Sequence, residues 1–166
     1  MSMYQLSVAP LLRALNNLSA ILQKGLAHAE ARKIDPAVLC GARLFPDMLP
    51  LARQVHIAGD ISKACGARLA GMEPPRYEDV EFTFPELQAR IAKTVAFLNT
   101  LDAQQVDASE SRQISFKSGG HTLNMSGLDY LTKYVLPNVY FHVTTAYAIL
   151  RHNGVELGKA DYLGRL

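Results

Sequence analysis

Asn138 and His142 stand four residues apart in the stretch LPNVYFHVTTAYAILRHNG, residues 136–154, each a polar residue set among apolar ones. On a helix, Asn138, His142, Thr145 and Ile149 fall along one line, at three- and four-residue steps. That line crosses the middle of an apolar arc formed by Val139, Phe141, Val143, Ala146, Ala148 and Leu150. Tyr140, Thr144, Tyr147 and Arg151 make up a narrow polar arc. The Asn138–His142 pair is therefore expected to point inward or into a cleft. A polar group taken out of water without a partner costs kilocalories. A metal ion, a ligand, ordered water or polar residues on neighbouring helices must then complete it. The imidazole reads either as a metal ligand or general base, or as a core histidine bonded to a tyrosine or a backbone carbonyl. Asn138 has a structural reading as well: it takes up backbone groups that Pro137 leaves without a partner.

Four helical stretches must position this pair. The first runs from about Val8 to Arg32, with Leu11, Leu12, Leu15, Leu18, Ile21, Leu22 and Leu26 at helical spacing. Pro10 sits in its first turn, where a missing N–H costs nothing. Asp35-Pro36 starts a helix that Gly41 ends after little more than a turn. The second long helix starts near Asp47 and runs to about Ala70, with Leu51, Val55, Ala58, Cys65 and Leu69 as its main stripe. After a loop stiffened by Pro74-Pro75, Thr83 and Glu86 form a capping box for the third, whose stripe is Leu87, Ile91, Val95 and Leu98. The period then changes. Ile114 and Phe116 alternate with polar residues, Gly119-Gly120 supplies a turn, and Leu123 and Met125 alternate again, which predicts a short β-hairpin. The fourth helix starts near Ser126, is kinked or split at Pro137, and ends at Gly154; the tail VELGKADYLGRL reads as an extended, partly docked arm. The fold class is all-α: a four-helix bundle with a small β-hairpin before the last helix.

The whole chain narrows the functions open to it. At 166 residues with a hydrophobic fraction of 49%, residues 1–166 are expected to form a single domain with an ordinary core. The net charge of +2 is spread without a basic stripe, and there is no Trp, so nucleic acid is not an expected partner. No apolar run reaches about 20 residues, the span of a bilayer. No membrane is expected, and the location is read as cytoplasmic. Cys40 and Cys65 match no zinc or redox spacing and read as reduced, buried thiols. His28 and His152 lie at helix C-termini, His121 follows a turn, and FKSGGH lacks the spacing of a phosphate loop.

The helix order, the hairpin before the last helix and the ending PNVYFHVTTAYAILRHNGV…GKADYLG resemble the DinB-like superfamily, the DinB/YfiT group of metalloenzyme-like bundles. More narrowly, they resemble one of its branches of unknown function. The resemblance spans nearly the whole chain and is most specific at the C-terminal stretch. It implies a DinB-like four-helix bundle, a homodimer, and in many members a divalent metal held by one histidine on the second helix and an H-x-x-x-H pair on the fourth. Carried over, the metal positions are His56, Asn138 and His142, with zinc or nickel as the cofactor. Asp60, four residues beyond His56, is the acceptor behind them. The first member of the pair is here an asparagine, whose amide oxygen is a poor ligand for zinc. On its helix, His56 lies beside Arg53, Asp60 and Lys63, away from the main apolar stripe, where it also reads as a solvated i, i+4 pair with Asp60. Two functions follow as expectations. One is a DinB-like protein with a cleft between the second and fourth helices that takes a small-molecule ligand, its metal site altered or vestigial. The other is a divalent-metal-dependent enzyme of thiol transfer or hydrolysis using His56 and His142.

Overall fold

A computed structural model describes residues 1–164. Four long helices carry the architecture: α2 (Val8–Ala31), α4 (Leu51–Leu69), α5 (Phe84–Asn99) and α8 (Leu136–His152). The shorter elements are α1 (Met3–Leu6), α3 (Pro36–Gly41), α6 (Ala103–Asp107), α7 (Gly127–Asp129) and α9 (Lys159–Leu163). One antiparallel hairpin, β1 (Gln113–Ser118) and β2 (His121–Ser126), stands before the last long helix. This is the all-α bundle with a small hairpin that the apolar periods imply.

Cross-helix contacts fix the directions. Ser19 bonds Gln88 and Gly25 meets Phe84, so α2 and α5 are antiparallel. Gln54 bonds His142 and Arg68 bonds Tyr130, so α4 runs against the chain that becomes α8. Gly25 meets Leu150 and Gly154 meets His28, which makes α2 and α8 parallel. Asp60 pairs with Arg90 and Gly66 meets Leu98, which makes α4 and α5 parallel. The topology is therefore up-down-down-up. Consecutive helices that run in the same direction need a connection as long as a helix. The 19 residues of α4 rise roughly 28 Å, and residues 70–83 form an extended strap that returns along them.

The core is aliphatic. Leu11, Leu15, Leu18 and Leu22 of α2 are fully buried with Leu51, Val55 and Leu69 of α4, Leu87 and Leu98 of α5, and Val139, Ile149 and Leu150 of α8. The Thr83–Glu86 capping box forms, with Pro85 in the first turn of α5. In the hairpin, Gly119 (φ 56°) and Gly120 (φ 82°) both occupy the left-handed region, as a tight two-residue turn requires. The hairpin docks through Ile114 and Phe116, and the Phe116 ring lies 4.9 Å from that of Tyr130 and 4.7 Å from that of Tyr134.

Pro137 is accommodated by splitting the last helix. Ser126 caps α7, a wide π-helical turn follows over Tyr130–Val135, and α8 then starts with the proline in its first turn. Three features exceed the sequence reading. Met3–Leu6 and Ala103–Asp107 are helical, and the C-terminal arm ends in a helical turn, α9, docked on α2. Arg13 donates to the Leu163 carbonyl at 2.7 and 3.0 Å, and Asn17 donates to that of Tyr162 at 2.9 Å.

Two glycines test the packing. A Cβ on Gly127 would collide with the backbone carbonyl of Ser109, whereas one on Gly59 would meet Thr94 Oγ1 at an ordinary 3.6 Å. Gly127→Ala is expected to cost at least about 2 kcal/mol. Gly59→Ala, in mid-helix, is expected to gain about 0.5–1 kcal/mol from helix propensity. Urea denaturation midpoints of the two variants read both signs.

Candidate functional site

His56 and Asp60 lie on the strap side of α4, and His142 faces α4 from α8. The structure does not join these two places into one site. His56 is fully buried, not solvated. The wheel reading erred because it counted only the apolar stripe of α4, whereas the strap covers the adjoining face. The His56 Nε2–H donates to the Glu81 carbonyl at 2.9 Å, and Nδ1 is left to accept from Arg53 Nη1 at 3.4 Å. Both ring nitrogens are thereby used. Burial, followed by the charge of Arg90, holds the ring below its ordinary range against the opposing pull of Asp79 and Glu81.

Arg90 of α5 organises the same region and is itself only 2% exposed. Nη2 meets both Asp60 oxygens at 3.0 Å and Asp79 Oδ1 at 2.9 Å. Nη1 meets Glu81 Oε2 at 2.8 Å and the Glu78 carbonyl at 2.7 Å. Arg53 pairs with the other Asp79 oxygen. Lys63 pairs with Asp60 at 2.8 Å. Tyr77 of the strap lies under the ammonium groups of Lys63 and Lys93, at 3.8 and 4.1 Å from its ring centre.

This arrangement overturns the expected divalent metal, zinc or nickel. Among the described residues, no group of three or more His, Cys, Asp or Glu side chains is disposed to hold a metal ion. The physical reason is local. Asp60, Asp79 and Glu81 are neutralised by guanidinium and ammonium groups, and a metal would have to displace them. The Asn138 amide Nδ2 donates to the Tyr134 carbonyl at 2.8 Å, in the turn just before Pro137. The metal-dependent enzyme that needed His56 and His142 falls with the ion.

His142 stands apart, at the α4–α8 seam, and is 9% exposed. Its Nδ1 lies 2.7 Å from Gln54 Oε1. The Gln54 amide nitrogen donates to the Leu49 carbonyl at 3.0 Å, which turns the amide oxygen toward the imidazole. Nδ1 must then carry the proton, and the lone pair sits on Nε2. That nitrogen has no hydrogen-bond partner among the described residues, and it is not sealed from water. Burial lowers the affinity of the ring for a second proton. Gln54 was missed in the sequence because it flanks the apolar stripe of α4 and fits no catalytic spacing.

The thiols are not part of this chemistry. Burial, aided by the charges of Asp35 and Glu86, pushes Cys40 up to about 11. Cys65 is fully enclosed and pushed higher still. No helix among the described residues is long and apolar enough to cross a membrane.

A family model described as "Domain of unknown function (DUF1993)" matches residues 3–163. Among solved structures, a DinB family member protein from Shewanella denitrificans is 40% identical to this chain. The match covers 98% of this chain and 92% of that one, with a TM-score of 0.89, so the bundle is DinB-like. No curated protein matches the chain.

Two predictions follow from the Arg90 and histidine environments. Arg90→Met leaves three carboxylates facing one another beside α4. It is expected to cost about 3 kcal/mol, the low end for a broken buried pair, since the carboxylates keep some contact with water. Chemical denaturation measures the loss, and hydrogen exchange should show it concentrated in residues 76–82. The second concerns pH. His56 and His142 both lie below the ordinary 6.5, so the unfolded chain binds protons that the folded one refuses. Stability is therefore expected to fall as pH drops below 6.5. Burial alone would raise Asp79, but the bond and charge of Arg53 and the charge of Arg90 prevail and hold it below 3.8. Its contribution is present above 3.8 and is lost as pH falls through its lower folded value. A melting-temperature profile from pH 8 to 3 should show both limbs, and His56→Gln should flatten the upper one.

Proposed function

The chain belongs to the DUF1993 family, and from that premise we propose a metal-independent DinB-like binding protein that meets a small molecule at His142, between α4 and α8. The observation that carries this reading is the 2.7 Å bond between His142 Nδ1 and Gln54 Oε1. It supports a protonated Nδ1 and leaves Nε2 as a neutral acceptor at the α4–α8 seam. A neutral imidazole nitrogen accepts from an uncharged donor such as a hydroxyl or an amide N–H. Gln54 matters for what it is not. A carboxylate in its place would raise the basicity of the ring and favour the imidazolium; an amide orients the ring without doing so. The Phe141 ring stands edge-on to His142 at 5.2 Å and is more than half exposed, which offers an apolar contact beside the acceptor.

The same reading takes DUF1993 as a branch of the DinB-like superfamily, the chain as one domain, and the working form as a homodimer. What supports the dimer is the family resemblance, and light scattering should return twice the chain mass.

Nitrogen-15 NMR of the histidine side chains tests the site. At pH 7.5, His142 should show a protonated Nδ1 and a bare Nε2, and Gln54→Ala should mix the two tautomers. Titration with phenol should move the Nε2 resonance in the wild type. A protonated Nε2, or an Nε2 signal that phenol leaves still, would remove the reading.

A further inference from the structure

Two side-chain amides stand at the α4–α8 seam, and both are turned the same way. The Gln54 nitrogen donates to the Leu49 carbonyl at 3.0 Å, and the Asn138 nitrogen donates to the Tyr134 carbonyl at 2.8 Å. A carbonyl can only accept, so each amide must keep its own oxygen turned away from it. The Gln54 oxygen is used on His142 Nδ1. The Asn138 oxygen has no hydrogen-bond partner among the described residues and is not sealed from water. Thr145, next on the same line of α8, donates its hydroxyl proton to the Phe141 carbonyl at 2.8 Å. The seam is thus left with two acceptors without a partner, Asn138 Oδ1 and the Nε2 of His142, a residue more than nine-tenths buried.

Spacing and charge narrow what could satisfy both. Side chains four residues apart on a helix lie over one another, about 5–6 Å apart at Cβ. A planar NH2 group sends out two hydrogen bonds of about 2.9 Å at about 120° to each other, and so spans two acceptors about 5 Å apart. The facing line of α4 is Gln54, Ile57 and Ile61, at three- and four-residue steps, with both isoleucines half-buried. Neither line carries an acidic side chain. An ammonium group would give up hydration there and meet no carboxylate. An amide nitrogen is uncharged, and its lone pair is delocalised into the carbonyl, so it presents donors alone to two acceptors.

We propose that the seam recognises a primary carboxamide, one N–H donating to His142 Nε2 and the other to Asn138 Oδ1, with the rest of the molecule against Phe141 and Ile57. This rests on the reading of His142 as a ligand site and adds the second contact that sets the class of ligand. A hydroxyl satisfies one of the two acceptors; an NH2 group satisfies both.

Nitrogen-15 NMR of the His142 ring and the Asn138 side-chain amide tests it on the full chain, with benzamide as the probe. Benzamide should move both signals saturably. N-Methylbenzamide keeps one N–H and should bind about fivefold more weakly, as loss of one neutral hydrogen bond does. N,N-Dimethylbenzamide has none and should bind about 25-fold more weakly. In Asn138→Ala, benzamide and N-methylbenzamide should bind alike, because the second acceptor is gone; a purely structural role of Asn138 would not close that gap. Should the variant fail to fold, the wild-type series decides alone. Equal binding of benzamide and N-methylbenzamide by the wild type would overturn the proposal. So would a gap that survives in folded Asn138→Ala, or benzylammonium binding more tightly than benzamide. In any of these cases, a phenol response that persists at His142 Nε2 keeps the histidine site and removes only the carboxamide. An Nε2 signal that neither phenol nor benzamide moves removes both.

Discussion

The buried guanidinium of Arg90 is the contact on which the fold most depends. Two consecutive helices that run in parallel need a long return, and a long return over a bundle has no regular hydrogen bonding of its own. Here one cation makes several of the polar contacts that hold the return. Arg90 reaches Asp60 on α4, the Glu78 carbonyl, Asp79 and Glu81 on the strap, and it sits on α5. Two helices and the strap that joins them are thereby tied to one side chain. His56 adds a further tie by donating to the Glu81 carbonyl. A single lysine could not do this, since a guanidinium presents five donors in a fixed plane and an ammonium presents three around a point.

The same contact explains why a histidine and three carboxylates close together do not make a metal site. Their negative charge is already matched by a permanent cation whose geometry suits carboxylate oxygens. A divalent ion would have to expel a guanidinium that has nowhere else to go. The region is a piece of architecture, and its histidine serves as a polar fastener whose two nitrogens are both occupied. That leaves His142 as the histidine with an uncommitted nitrogen at the α4–α8 seam.

Much of this was legible from the residues, for reasons that differ from place to place. The long helices were readable because Leu11 to Leu26 and Leu87 to Leu98 repeat at helical spacing, and the hairpin because Gly119-Gly120 interrupts a two-residue alternation. Thr83 and Glu86 gave the start of α5 because a capping box is local chemistry. His56 was misread because what buries it is the strap at residues 78–82, about 25 positions away, and no periodicity within α4 reports a cover contributed from elsewhere. Arg90 drew no attention because an arginine beside an apolar stripe looks like a solvated flank until its partners are known. Gln54 was invisible for the same reason. Its role comes from the opposition of residues 54 and 142, and that opposition exists only once the directions of α4 and α8 are set.

The last helix shows how one amphipathic pattern can be used twice. A wheel divides α8 into an apolar arc with a polar line through it and a narrow polar arc behind, which suggests one working face and one wet face. The fold gives both arcs protein neighbours. The line through Asn138 and His142 meets α4, and the arc of Tyr140, Thr144 and Tyr147 meets α2 and α9. Tyrosine and threonine suit the second role because each has an apolar body and a polar tip. Their tips reach the arm, through Thr144 to Tyr162 and Tyr147 to Leu157, while their bodies continue the packing. The proline that breaks the helix helps to set both faces. The π-helical turn over Tyr130–Val135 adds its extra residue before α8 begins, which rotates every later side chain about the helix axis by roughly 100° relative to an unbroken helix. Without that rotation His142 would not point where Gln54 can meet it. The chemistry of the seam thus depends on a backbone irregularity placed about two turns upstream.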